Sequence, residues 1–112
     1  MILPNADQAV IPPEKLHDYL LSPTHPVGRF KAVFFQTIGY DRDNWREFET
    51  AIRSLLRLEA NEVEQTDFGK KYKVSGDINS PSGRKVNIVA IWIVLEGESI
   101  PRFITAYPGG KK

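Results

Sequence analysis

The segment Val86-Asn87-Ile88-Val89-Ala90-Ile91-Trp92-Ile93-Val94-Leu95 is apolar at both odd and even positions, with Asn87 the one interruption. No other stretch constrains the fold as much. A strand sends alternate side chains to opposite faces, so a run that is apolar on both belongs at the centre of a sheet. Upstream, Lys70 to Asn79 alternates, with Tyr72, Val74 and Ile78 on one face and Lys71, Lys73 and Ser75 on the other. Ser80-Pro81-Ser82-Gly83 is a strong turn signal between these two strands, and Glu96-Gly97-Glu98 turns the chain into a last strand, Ile100 to Tyr107. A further strand is expected over Glu62 to Phe68.

Before Asn61 the apolar spacing is helical. Pro12-Pro13-Glu14 opens a helix of about two turns, with Leu16, Tyr19 and Leu20 on its apolar stripe and Pro23 ending it. A second helix follows the loop Ser22-Pro23-Thr24-His25-Pro26. Thr24 is its expected N-cap, Val27, Phe30, Phe34 and Ile38 its core stripe, and Gly39 its C-terminal stop. The third, capped by Asp43, runs to Leu58 with Trp45, Phe48, Ile52, Leu55 and Leu56 facing inward. The reading is an α+β chain: three N-terminal helices on one face of an antiparallel sheet of about four strands. One domain spans 1–108, and 109–112 form a basic tail.

Composition narrows the function classes. The 112 residues contain no cysteine, which excludes a disulfide framework, a thiolate nucleophile and Cys-based metal sites, and a reducing cytoplasm is expected. No apolar run approaches the roughly 18 residues of a membrane span, and Met1 to Asn5 lacks the basic and apolar regions of a secretory leader. The net charge of +1 hides an uneven distribution. Residues 1–67 carry seven Lys/Arg against eleven Asp/Glu, and residues 68–112 carry eight against three. A basic second half suits a polyanion and equally suits ordinary solvated surface.

Only two histidines are present. His17 reads as a surface helix residue. His25 stands at a helix start, where the macrodipole disfavours imidazolium and free N–H groups can hold an anion. With Gly28, Arg29 and Lys31 following, the segment suits either a phosphate beside a histidine base or a histidine that merely caps the helix while Arg29 and Lys31 stay solvated. Metal-ligand spacing is lacking, as are P-loop and Gly-x-Ser-x-Gly strings, so neither a metal nor another cofactor is expected. On the last strand, alternation groups Phe103, Thr105 and Tyr107 on one face and Arg102, Ile104 and Ala106 on the other. Thr105 and Tyr107 thereby offer two neighbouring hydroxyls, or simply cross-strand packing. Trp92 would stack a base or fill the core.

Several strings carry a resemblance over nearly the whole chain: Leu3-Pro4-Asn5-Ala6, Tyr19-Leu20-Leu21, His25-Pro26-Val27-Gly28-Arg29-Phe30-Lys31, Phe34-Phe35 to Gly39-Tyr40, Trp92-Ile93-Val94, and Pro101-Arg102-Phe103-Ile104-Thr105-Ala106-Tyr107-Pro108. They resemble a bacterial domain family of unknown function. The layout, with Thr-x-Tyr-Pro on the terminal strand, is also similar to the barnase, EndoU, colicin and RelE superfamily of metal-independent ribonuclease toxins, many of which occur with an immunity protein or antitoxin. That resemblance implies an RNA substrate and a site of helix-borne His with Lys or Arg plus Thr and Tyr from the last strands. Here His25, Lys31, Thr105 and Tyr107 match as catalytic residues, and Arg29, Arg102 and Trp92 are the expected RNA contacts. A second strongly placed histidine is missing. The alternative is a non-catalytic, antitoxin-like or immunity-like module on the same fold, and exposed strand edges would admit a homodimer.

Overall fold

The computed structural model describes residues 1–109. The basic tail expected at 109–112 therefore lies outside the described residues beyond Gly109, whose N–H donates to the Asn87 carbonyl at 2.9 Å. Helical elements come first: α1 (Pro13–Lys15) continues into a π turn (Leu16–Leu20), followed by α2 (Arg29–Thr37) and α3 (Trp45–Ser54). Four strands then form one antiparallel sheet in the order β1-β2-β3-β4, with β1 Ala60–Gln65, β2 Gly69–Asn79, β3 Lys85–Leu95 and β4 Arg102–Pro108. The architecture is the expected α+β arrangement, with the apolar run in the interior strand β3.

The sheet has an inner and an outer face. Tyr72, Val74, Gly76 and Ile78 of β2 pair with Trp92, Ala90, Ile88 and Val86 of β3, and these positions meet the helices. Phe35, Phe48, Ile52 and Leu55 complete the core from α2, α3 and the 3-10 turn that follows. On the outer face Val89 is buried while Ile91 and Ile93 are half-buried, so the two apolar faces of β3 are not equally covered. The N-terminal segment protects the free edge of β4. Val10 donates its N–H to the Pro101 carbonyl and accepts from Phe103 N–H, both at 2.9 Å, in a parallel bridge.

Three differences from expectation bear on how the helices and the sheet pack, besides the first strand, which runs over Ala60–Gln65 and not Glu62 to Phe68. Asp41, not Asp43, caps the third helical segment: its carboxylate accepts from the N–H groups of Asp43 and Asn44, and Asn44 Oδ1 accepts from Asp41 N–H. A 3-10 turn, Arg42–Asn44, intervenes before α3, which is why the cap lies two residues earlier.

The second difference is the face that α2 buries. Ala32, Phe35 and Ile38 are buried and Phe34 only partly, whereas Val27, Phe30 and Val33 are 57%, 68% and 64% exposed. Counting apolar residues could not distinguish the two stripes, because Val27, Phe30 and Val33 form an equally regular series three residues apart. Gly39 does end the helix as expected, with φ +102° and its N–H donating to the Gln36 carbonyl at 3.0 Å.

The third difference is a β-bulge in β4. Ile91 pairs with Thr105 and Trp92 with Phe103, so Ile104 has no partner across the strand and the alternation changes phase there. Phe103 and Ala106 consequently point into the core, and Arg102, Thr105 and Tyr107 share the outer face with Ile93, Ile91 and Val89. Strict alternation had put Arg102 opposite Thr105 and Phe103 beside it.

The exchanged faces of α2 predict an asymmetric pair of substitutions. Phe35→Ala should lower unfolding stability in urea by about 3–5 kcal/mol, whereas Phe30→Ala should stay within about 0.5 kcal/mol of wild type. Equal losses would return Phe30 to the core.

Candidate functional site

A glycine sets the spacing between the π turn and α2. A β-carbon added at Gly28 would overlap the Tyr19 carbonyl and lie 2.9 Å from Tyr19 Cδ1, so only glycine lets the two segments approach this closely. The contact lays the Tyr19 ring edge-on to His25, with centroids 4.9 Å apart. The loop between them is held by Ser22, a buried residue whose Oγ accepts from Thr24 N–H at 3.3 Å and His25 N–H at 3.2 Å. Ser22 and His25 thus provide the capping expected of Thr24.

His25 Nδ1 accepts from the N–H groups of Val27 at 3.0 Å and Gly28 at 2.9 Å. With Nδ1 occupied in this way, the neutral ring carries its hydrogen on Nε2. The expectation that His25 accepts a proton therefore changes: before Nδ1 could take one, both cap hydrogen bonds would have to break. Nε2–H has no hydrogen-bond partner among the described residues, and His25 lines an open groove of about 660 Å³ together with Lys15, Tyr19, Ile104 and Thr105. What His25 offers to the groove is a hydrogen-bond donor.

Lys31, from the first turn of α2, joins the separate elements. Its Nζ donates to Thr105 Oγ1 at 2.7 Å and to Tyr19 Oη at 3.4 Å. It also lies 5.5 Å from the centre of the Tyr19 ring and 6.0 Å from that of Tyr107. An ammonium has three donors, so one remains for an incoming anion. The bulge contributes as well, since Lys15 Nζ donates to the carbonyl of the unpaired Ile104 at 3.1 Å. The acidic rim of the groove is partly neutralised: Asp18 is paired with His17 at 2.8 Å and Arg42 at 3.1 Å. A hydrogen bond from His17 is the main cause that holds its carboxyl below the usual range.

Tyr19 was legible only as part of an apolar helix stripe, yet its phenol is at the centre of the group. Burial pushes its pKa up, but the Thr105 hydroxyl and the Lys31 ammonium, with the charge of Lys15, outweigh burial and hold the phenol below its ordinary value. No sequence rule separated this tyrosine from its neighbours, because the groups that perturb it come from α2 and β4.

Of the seven residues singled out in the sequence, Lys31, Thr105 and Tyr107 meet around one ammonium, and His25 is linked to them through the Tyr19 ring and the groove it shares with Thr105. The other three do not join them. The Arg29 guanidinium lies over the Phe30 ring, 4.6 Å from its centre, and borders a separate groove with Pro23, Val33 and Gln36. Arg102 shares the outer face but pairs with Glu98 at 3.2 Å. Trp92 is fully buried edge-on to Phe103 and presents no ring face to a base. Among the described residues no three His, Asp or Glu side chains gather in a way that could hold a metal ion, and no helix is long and apolar enough to cross a membrane.

Residues 2–110 match the model of a family described as a domain of unknown function, DUF6883. The chain belongs to that family. No curated protein matches it. Among solved structures it is similar to a chain of a contact-dependent growth inhibition toxin–immunity protein complex from Klebsiella pneumoniae 342, at 19% identity and a TM-score of 0.69. The match covers 96% of this chain and 98% of that one, and at this identity the likeness concerns the fold. In this DUF6883 chain the expected arrangement of helices before an antiparallel sheet is thus shared over almost the full length of both.

The close approach at Gly28 yields a direct test. Gly28→Ala should destabilise the fold by about 1–3 kcal/mol, as overpacking does. In the folded fraction it should also displace the Tyr19 ring signals seen by NMR. An unchanged spectrum and melting curve would mean that the two segments are not in contact.

Proposed function

We propose that this DUF6883 chain is an endoribonuclease of the bacterial toxin type that cleaves RNA without a metal, by attack of a ribose 2′-hydroxyl on the adjacent phosphodiester. The observation that carries this reading is the convergence on one ammonium: Lys31 Nζ holds Thr105 Oγ1 at 2.7 Å and Tyr19 Oη at 3.4 Å beside the Tyr107 ring, and Tyr19 and Thr105 share a groove with His25. These groups suit charge developing on phosphate oxygens. The free donor of Lys31 and the Nε2–H of His25 would bind the non-bridging oxygens, Thr105 would fix Lys31, and Tyr107 would protonate the leaving 5′-oxygen. The products would be a 2′,3′-cyclic phosphate and a 5′-hydroxyl. RNA is then the substrate, and a cognate immunity protein or antitoxin the natural partner. The likeness to a chain of a toxin–immunity complex supports that reading at the level of the fold.

A second reading, a partner-binding module without catalysis, is favoured by one specific observation. Val27, just before α2, and Phe30 and Val33 on it leave an apolar strip exposed to solvent.

Incubation with total RNA in EDTA separates the two. Wild-type protein should generate fragments ending in 2′,3′-cyclic phosphate. Lys31→Met should slow this by about 100-fold or more, the scale of one lost preorganised donor, and Tyr107→Phe by about ten-fold. His17→Ala should be nearly silent. Intact RNA across several substrates would hand the case to the binding module.

A further inference from the structure

We propose that Tyr19 is the proton acceptor of this site, taking the ribose 2′-proton on its phenol oxygen, while His25 keeps its Nε2 hydrogen and only donates a hydrogen bond. This rests on the endoribonuclease reading and deepens it by assigning the base. Most ionisable groups in and beside the groove are already engaged or stand apart from the ammonium. Lys15 and Lys31 act as donors, to Ile104 O and to Thr105 and Tyr19. The Asp18 carboxylate is engaged by His17 and Arg42. Glu14 is exposed and makes no hydrogen bond or ion pair to Lys31, Thr105 or His25 among the described residues. His25 Nδ1 is taken by two backbone N–H groups. What remains is the oxygen of Tyr19, a residue that lines the groove and whose hydroxyl lies 3.4 Å from Lys31 Nζ.

Its surroundings suit the role. A phenolate at this point is favoured by the Lys31 ammonium, by the charge of Lys15 and by Thr105, which accepts from Lys31 and so keeps its own O–H to turn toward the phenol. The lowered phenol pKa points the same way, since a base works best as its pKa approaches the working pH. In the step itself the 2′-oxygen forms a bond to phosphorus as its proton passes to the Tyr19 phenolate. The bond from phosphorus to the 5′-oxygen breaks, and that oxygen takes the Tyr107 proton. Exchange with water then restores both tyrosines.

Tyr19→Phe tests the assignment, because it keeps the ring against His25 and removes only the oxygen. Cleavage in EDTA should be followed between about pH 6 and 9, with kcat/KM for wild type rising as the phenol ionises. The variant should fall by about 100-fold or more and lose that rise. A variant that keeps the wild-type pH slope, at any rate, would make Tyr19 a positioning residue for Lys31 and overturn the proposal while leaving the ribonuclease reading intact. Wild-type protein that cleaves no RNA overturns the ribonuclease reading and the base with it. Ultraviolet phenolate titration gives a readout without activity. Tyr19 should ionise below the ordinary phenol range, and this earliest step should vanish in Tyr19→Phe and move up in Lys31→Met. An earliest step that persists in Tyr19→Phe would overturn the assignment even if cleavage were lost.

Discussion

The contact between Gly28 and the Tyr19 carbonyl is the constraint on which the site depends. A side chain at 28 would push the π turn away from the start of α2. Three consequences follow from its absence. Tyr19 reaches the edge of His25, the turn from His25 to Gly28 closes onto the imidazole nitrogen, and Lys31 starts close enough to the sheet to reach Thr105. The π turn and the start of α2 are thereby held together by backbone packing, and the polar contacts of His25 and Lys31 are built on that frame. Such support keeps donors in place before a ligand arrives, which is where electrostatic stabilisation gains most.

The bulge at Ile104 supplies the other half of the geometry. Without it, a strand that keeps Phe103 in the core would turn Thr105 inward and Ala106 outward. The extra residue reverses the phase between them, so Phe103 and Ala106 both fill the core and the two hydroxyl-bearing residues stay outside. The unpaired carbonyl is not left bare, because Lys15 donates to it. Since β4 is the last strand of the sheet, Lys31 can approach Thr105 around that edge. The site is thus a seam between the N-terminal helices and an edge strand, with cations on the helical side and hydroxyls on the strand.

Much of this was legible in the sequence. The change from helical spacing to period two near Asn61, and the doubly apolar run at 86–95, identify the order of elements because both patterns reflect burial directly. Thr105 and Tyr107 on a shared face, and Lys31 within two turns of His25, follow from local spacing alone. What stayed hidden arises from contacts distant in the chain. The bulge has no glycine to announce it, α2 carries two equally regular apolar series, and Asp41 and Asp43 are equally good caps until the 3-10 turn is seen. Tyr19 is the clearest case, since its chemistry comes from Lys31 and Thr105. Trp92 shows the converse: its place in the central strand already favoured the core, and the packing against Phe103 takes it out of reach of any base.

The chemistry proposed for the seam around Lys31 requires that it hold a phosphodiester. Its most direct test is an NMR titration of the wild-type protein with a 2′-deoxy dinucleotide, which carries the phosphodiester but cannot undergo 2′-hydroxyl attack. Backbone amide shifts should concentrate at Val27, Gly28, Lys31, Thr105 and Tyr107, and they should be lost in Lys31→Met. Shifts confined to Phe30 and Val33 on the exposed strip of α2, or no shifts at ligand concentrations well above the protein's, would mean that the seam holds no phosphodiester.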